Sequence, residues 1–172
     1  AYYRKLEDAS GKRLFHPMDT LRIFDSEKQR DKFSRKRDQL RGWIDDAKSE
    51  DLPQWNGCHG GFIMKQGGWL DTKKYLQVIR EILGADYRVG SFHEADMVIK
   101  DGQVSWKDIS AERVILCQGA RGLTNEGLFS YLPHRCAKGE ILTVSIPEAD
   151  QEKIINCNGW LIPLGNEIWR AG

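Results

Sequence analysis

The sequence contains no long apolar stretch, and this absence excludes several classes of protein. Mean hydropathy is −0.56, and no run approaches the roughly 20 apolar residues that a membrane-spanning helix needs. Residues 1–5 are not followed by the apolar core of a signal peptide. We therefore expect a cytoplasmic protein without a membrane span.

Several catalytic and metal-binding motifs are also missing. Cys58, Cys117, Cys136 and Cys157 form no CxxC pair and match no zinc-ligand spacing, so no metal site is predicted. No GxSxG elbow accompanies the serines, so hydrolase chemistry is not favoured. The sequence also contains no GxGxxG, the glycine fingerprint that lets a helix N-terminus approach a pyrophosphate.

Positive charge is concentrated in one short segment. Residues 28–41 contain seven Lys or Arg against two Asp. Ser26 can cap a helix there, and Phe33, Leu40 and Ile44 share one helical face, so a surface helix is predicted. Its cations most simply form a solvated face, and contact with RNA phosphates is the alternative.

The middle of the chain carries the clearest local signals. Apolar residues at three- and four-residue steps predict a helix that begins after Asp71 and ends at Gly84. Asp101-Gly102, between two short alternating segments, is typical of a two-residue hairpin turn. Residues 114–117, Val-Ile-Leu-Cys, predict a strand buried on both faces.

The remaining segments complete an α+β pattern. Short strands are predicted at residues 14–16, 20–24 and 62–64, and residues 45–57 are predicted to form a loop. Further strands are predicted at residues 140–146, 153–156, 160–163 and 167–170. The predicted fold class is α+β, with a large, mostly antiparallel sheet that carries helices on one face.

The order of these segments resembles a known family. The residues that carry the likeness are Gly68-Trp69-Leu70-Asp71 before a helix, the Asp101-Gly102 hairpin, residues 113–120, Lys138-Gly139-Glu140 and Trp160-Leu161-Ile162-Pro163. Together they resemble the D-amino-acid-oxidase-like flavoproteins, which include glycine and sarcosine oxidases and the flavin domain of a tRNA-modifying oxidase. Residues 60–172 match in register, and residues 1–59 fit more loosely.

The resemblance implies a FAD-dependent oxidoreductase built from two parts. A GxGxxG unit would hold the ADP half of FAD, and a sheet-rich part would cover the isoalloxazine ring and the substrate. Since the fingerprint is missing here, we expect this chain to be an inactive fragment. Residues 1–112 and 123–172 would be substrate-domain-like, and residues 113–122 would supply a strand and glycine turn of the flavin-binding layer.

The resemblance also assigns candidate site residues. Gln118, Gly119 and Ala120 would lie near the FAD dinucleotide, and Trp160 would form an aromatic wall of the substrate pocket. The same tryptophan could equally be a packed core residue. Arg170 and Arg22 are candidates for gripping a substrate carboxylate, because a guanidinium binds it through two hydrogen bonds; solvent-facing arginines are the alternative.

The implied reaction is hydride transfer from an amine, amino acid or related small acid to the flavin, and no catalytic residue is assigned. A different class of function stays open, in which the sheet is a non-enzymatic binding module that presents its tryptophans to a partner. Nucleic acid is not the expected partner, although one branch of the family makes tRNA a possible one. The oligomeric state is not predicted.

Overall fold

The computed structural model describes residues 2–52, 57–120, 130–133 and 136–172. It confirms the α+β class: the described residues contain three α-helices, one seven-stranded sheet and two smaller sheets. The chain divides into a first unit, residues 1–84 with 139–172, and a second unit, residues 85–138.

The first unit contains all three described α-helices and nine of the described strands. The helices are α1 (Tyr2–Ser10), α2 (Glu27–Ser34) and α3 (Thr72–Leu83). The strands before the second unit are β1 (Phe15–Pro17), β2 (Thr20–Ile23), β3 (Ile44–Asp46), β4 (Gly61–Met64) and β5 (Gly68–Leu70).

The second unit forms a three-stranded antiparallel sheet. Its strands are β6 (Met97–Lys100), β7 (Gln103–Trp106) and β8 (Ile109–Ala111). Asp101 and Gly102 join β6 to β7 with φ angles of 52° and 76°, the left-handed conformation that a two-residue hairpin turn requires. The predicted hairpin is therefore confirmed.

The large sheet joins the beginning of the first unit to its end. Its later strands are β9 (Leu142–Ser145), β10 (Ile154–Asn156), β11 (Trp160–Gly165) and β12 (Ile168–Ala171). The strand order is β3-β4-β2-β10-β11-β12-β9. Among the described strands, β2 and β10 pair in parallel and all other neighbours in this sheet are antiparallel.

The registers give the sheet two faces of different character, because residues paired across strands point to the same side. We call one the cleft face and the other the arginine face. The cleft face carries Leu21, Ile23, Ile155, Leu161, Trp169 and Leu142, and the arginine face carries Phe62, Arg22, Asn156, Trp160, Ile162 and Arg170.

Helix α2 packs on the arginine face through one aromatic side chain. Phe33 stacks on Phe62 with ring centroids 4.3 Å apart and lies 5.2 Å from the ring of Phe24. The helix is shorter than predicted: it ends at Ser34, Leu40 lies in a 3-10 turn, and Ile44 begins β3. The prediction was wrong here because Ile44 pairs with Met64 on β4, and sheet pairing overrides helical periodicity.

Helices α1 and α3 pack with the β1–β5 pair, through contacts of the Tyr3 ring with Phe15 and Tyr75. Glu7 Oε1 accepts hydrogen bonds from the backbone N–H groups of Leu14 and Phe15, and Leu14 is fully buried. The Asp71 carboxylate caps α3 by accepting from the Lys74 N–H, as predicted, and Gly84 ends the helix at φ 51°.

The predicted strand at residues 114–117 is not formed. Residues 113–118 have no regular secondary structure, and Val114 and Ile115 are 44% and 85% exposed. A strand buried on both faces needs neighbours on either side to satisfy its backbone, and no such neighbours lie beside this segment among the described strands. The last two residues of the expected 113–122 segment, and Pro53 of the predicted loop, lie outside the described residues.

Gly61 tests how tightly β2 and β4 approach. A Cβ at this position would lie 2.5 Å from the Arg22 backbone oxygen and 3.0 Å from Leu52 Cδ2. We expect Gly61→Ala to lower the free energy of unfolding by about 1–3 kcal/mol, the usual cost of overpacking. Gly139→Ala is the matched control, since that position faces open space. Equal urea midpoints for the two variants would contradict the close approach.

His16, in the β1–β5 pair, should make the stability of the fold depend on pH. Its ring stacks on Trp69 with centroids 4.0 Å apart, and its Nε2 has no hydrogen-bond partner. Burial, aided by the charges of Arg13 and Lys74, lowers the pKa of His16. Below about pH 6.5, His16 is therefore protonated in the unfolded chain while it is still neutral in the folded chain. The free energy of unfolding falls as the pH drops from this value to the pKa of His16 in the folded chain.

His16→Phe keeps a flat ring on Trp69 and removes the titration. We expect urea unfolding between pH 7.5 and pH 5, values chosen to bracket the ordinary pKa of histidine at about 6.5, to show a smaller loss of stability for this variant than for the parent chain. Identical pH profiles would contradict the assignment.

Candidate functional site

A wide cleft lies over the cleft face of the large sheet, within the first unit. Its volume is about 910 Å³, within the 300–1,000 Å³ range typical of small-molecule sites. The floor comes mainly from three strands, with Leu21 and Ile23 on β2, Ile155 on β10 and Trp169 on β12. Its position follows directly from the strand register.

The floor is apolar and firmly held. Trp169 is only 2% exposed, and Ile23 is among the most deeply buried side chains of the chain. With the amide of Gln151 oriented so that its oxygen faces the indole, Trp169 Nε1 donates a hydrogen bond to it at 3.2 Å. A buried tryptophan with its N–H satisfied is held rigidly beneath the cleft.

Trp160 is one of the residues that border the cleft. Its backbone exchanges two hydrogen bonds with Gly172, of 2.8 and 3.1 Å, and its indole lies over that glycine. A Cβ on residue 172 would come within 2.5 Å of the ring, so glycine is required for the indole to lie there. Trp160 is half-buried and borders the cleft, although its register position belongs to the arginine face.

The rim of the cleft carries four carboxylates, of which Glu50 pairs with Lys48 at 3.5 Å and Asp51 pairs with Lys153. Lys153 Nζ lies 3.3 Å from Asp51 Oδ1, and the two side chains are 23% and 15% exposed. A hydrogen bond from the Lys48 backbone N–H, together with Lys153, lowers the pKa of Asp51. Glu50, Glu140 and Asp150 also border the cleft.

One thiol opens into the cleft. Cys157 follows β10 and is half-buried. Burial raises the pKa of the Cys157 thiol, and the Asp25 carboxylate raises it further. A thiol with a raised pKa is mostly protonated near neutral pH and is therefore a poor nucleophile.

The predicted substrate residues share one face of the sheet, but only one of them borders the cleft. Arg22, Trp160 and Arg170 all occupy arginine-face positions. Arg22 donates from Nη1 to Asn156 Oδ1, and Arg170 is exposed. Neither arginine lines the cleft, so their role in carboxylate binding stays a prediction.

The predicted FAD residues lie in the second unit. Gln118 ends the irregular segment 113–118, and Gly119 and Ala120 follow it. Gly119 has φ 56°, and a Cβ there would meet open space. The positive φ explains glycine at this position as a backbone requirement, and contact with a dinucleotide stays a prediction.

The basic segment is exposed along its length. Arg30, Arg37 and Arg41 form ion pairs with neighbouring carboxylates. Lys28, Lys32 and Lys36 are exposed as well, at successive four-residue steps. Both the solvated face and contact with RNA phosphates stay open.

The described residues contain neither a cluster of metal ligands nor a membrane-spanning helix. In the ranges that the structure describes, no three His, Cys, Asp or Glu side chains come together as metal ligands would. No helix in those same ranges has the length and apolar character needed to cross a bilayer.

Sequence reasoning missed the cleft itself. Its floor combines alternate residues from strands that are more than 130 positions apart, such as Leu21 and Ile155. The alternation of apolar residues in each strand was a usable signal. No short-range sequence pattern predicts the pairing of β2 with β10, which brings these residues together.

No family model matches the chain, and no solved structure matches it either. The site consists of an apolar sheet face bordered by two tryptophans, with carboxylates at its rim.

The environment of Cys157 predicts a low reactivity of its thiol. We expect iodoacetamide to modify Cys157 more slowly than the exposed Cys117 at pH 7, because its raised pKa and partial burial both reduce the thiolate available. Peptide mass spectrometry over time gives both rates in one sample. Modification of Cys157 first would contradict its described environment.

Proposed function

We propose that this chain is the sheet-rich portion of a FAD-dependent oxidoreductase of the D-amino-acid-oxidase-like family, which oxidises an amine, an amino acid or a related small acid. The observation that carries the proposal is the open apolar cleft on one face of a large mixed sheet. Such a surface suits the task of covering a flat isoalloxazine ring and a small substrate.

The cleft fits a flat ring in shape and chemistry. Its floor is aliphatic and aromatic, and the volume of about 910 Å³ exceeds what a small substrate alone would fill. Trp169 is buried beneath the floor, and the accessible apolar surface against which a conjugated ring can pack comes from Leu142, Ile155 and Leu161. The sequence lacks a GxGxxG segment to bind the pyrophosphate, so the nucleotide half of FAD would be held elsewhere in the enzyme.

Other uncovered apolar surfaces support a larger enzyme. In the first unit, α3 exposes Leu76, Ile82 and Leu83, which share one side of the helix. In the second unit, Val114 and Ile115 are exposed. Apolar patches of this kind mark surfaces for packing against further protein, and a dinucleotide-binding unit would supply it.

The residues of this chain would exclude water and orient the substrate. When bound, the flavin supplies the redox chemistry, by accepting a hydride from a C–H bond beside nitrogen or oxygen. Leu21, Ile23 and Trp169 would keep the reacting carbon in an apolar setting, and Trp160 would border it. Since hydride transfer needs no dedicated base on the protein, we assign none. The proposed location is the cytoplasm, where the thiols would stay reduced.

The proposal predicts a difference between this chain and the complete protein. We expect the product of the complete reading frame to purify with non-covalently bound FAD, released on denaturation and detected by its visible absorbance. The chain of 172 residues alone should be colourless and should show no measurable FAD affinity by calorimetry, because it lacks the pyrophosphate site.

Variants in the complete protein sharpen this test. Trp160→Ala should raise KM and slow reduction of the flavin by substrate, since it removes a wall of the proposed pocket. Trp43→Ala is the matched control, because Trp43 is exposed and does not border the cleft. A complete protein that binds no flavin would sink the oxidoreductase proposal and would favour the sheet-based binding module.

A further inference from the structure

The basic segment contains a row of cations that lie along one side of α2. Lys28, Lys32 and Lys36 follow one another at four-residue steps, and Arg35 lies three residues after Lys32. The backbone stays in the right-handed helical region through Arg35 and Lys36, so these spacings place all four side chains on the same side. All four residues are exposed. We call this row the cationic stripe.

The cationic stripe has no carboxylate partner in the part of the chain that the structure describes. None of its four members takes part in an ion pair there. The carboxylates nearest in sequence are engaged by other cations, since Arg30 pairs with Glu27 at 3.9 Å and with Asp31 at 3.4 Å. Arg41 pairs with Asp38 at 3.1 Å. The positive charge of the stripe is therefore left without a counter-charge from these residues.

The cationic stripe lowers the stability of the helix that carries it. Like charges four residues apart repel each other, and Lys28 lies in the first turn, where the helix dipole disfavours a cation. The helix has only eight residues, and its N-cap residue Ser26 makes no side-chain cap hydrogen bond. The Ser26 hydroxyl donates to Asp25 Oδ1 instead, at 2.9 Å. An anion bound along the stripe would relieve the repulsion and would therefore stabilise α2.

The spacing and composition of α2 favour a nucleic-acid strand over a membrane surface. Four helical residues advance about 6 Å along the axis, and the phosphates of an extended strand, which cationic grooves track, repeat at a comparable interval. A helix that lies on a membrane needs apolar side chains beside its cations. Phe33 is the one apolar side chain of α2, and its ring is stacked on Phe62. The helix therefore has no apolar side chain left to enter a bilayer.

We propose that the cationic stripe binds the phosphate backbone of a nucleic-acid strand without reading its bases. Lysine and arginine side chains neutralise phosphates by charge, and contacts to the backbone carry no sequence information. This interaction is independent of the proposed oxidoreductase function, because it requires neither the flavin nor the cleft.

Fluorescence anisotropy with labelled oligo(U) and oligo(dT) tests the proposal on this chain. Both strands should bind with similar affinity, because they share the phosphate backbone. Four phosphate contacts should give a slope of about −3 when the logarithm of the binding constant is plotted against that of the salt concentration, since each contact to a single strand contributes about −0.7. The proposal is overturned if neither strand binds at low salt, if one strand is strongly preferred, or if the affinity does not depend on salt.

Glutamine variants connect the binding to the stripe. Lys28→Gln, Lys32→Gln and Lys36→Gln combined should weaken binding at low salt by roughly tenfold or more and reduce the slope to about −0.7, because Arg35 alone would remain. Replacing the same three lysines by arginine keeps their charge and should keep the parent affinity. A glutamine variant that binds like the parent chain would contradict the assignment to α2.

A charge-matched control separates the stripe from net charge. It removes three exposed cations of α1 and α3 that form no ion pair among the described residues, through the combined changes Arg4→Gln, Lys5→Gln and Lys73→Gln. This control should keep the slope near about −3, because the contacts on α2 are intact. An equal loss of binding in the control and in the glutamine variant of the stripe would show attraction by net charge alone and would overturn the proposal.

Hydrogen exchange locates the site without any substitution. Bound oligo(dT) should slow exchange at the backbone amides of α2 in the parent chain, because it relieves the repulsion within this short helix. Protection elsewhere with none in α2 would overturn the proposal even if the glutamine variant failed to fold. Urea unfolding of that variant should give a midpoint equal to or above that of the parent chain, since like charges have been removed.

Vesicles of phosphatidylserine and phosphatidylcholine test the competing membrane surface. Sedimentation with these vesicles should retain little of the chain, because α2 has no free apolar side chain. Binding to the vesicles with neither oligonucleotide bound would overturn the proposal in favour of a membrane.

Discussion

The parallel pairing of β2 with β10 is the constraint on which the first unit depends. It joins Thr20 to Ile154 and Arg22 to Asn156, and among the described strands it is the only link between those that precede the second unit and those that follow it. Without it, β3, β4 and β2 would be separated from β10, β11, β12 and β9, and neither group would have a complete core. Leu21 and Ile23 become floor residues of the cleft because this pairing places Ile155 beside them.

The two faces of the sheet separate the apolar side chains from the arginines. Alternation along each strand sends aliphatic side chains and Trp169 to one side, and Arg22, Asn156 and Arg170 to the other. A guanidinium and the apolar floor can therefore be adjacent in sequence and still serve different surfaces. This separation gives the cleft a charge that is set by its loops, through residues such as Glu50 and Asp150.

How much the sequence could predict depended on the range of the interactions involved. The start and end of α3 and the Asp101-Gly102 turn were predicted correctly because each is decided by a few neighbouring residues. The helix predicted through Ile44 was wrong because Ile44 pairs in a strand with Met64, 20 positions away. The strand predicted at residues 114–117 has the composition of a buried strand and no neighbours to bury it among the described residues. Trp160 could be nominated from the resemblance, whereas the acidic rim required the sheet to be assembled first.

The placement of the second unit has a consequence for how this protein reaches its native state. Because residues 85–138 interrupt the first unit, β2 must find β10 across a very long stretch of chain, and closing such a loop costs entropy before any contact repays it. The hairpin of β6 and β7 is local and can form within microseconds. An early, independently collapsed insert would shorten the effective separation of the two halves, so the most remote pairing in the sheet would be the last step and the slowest.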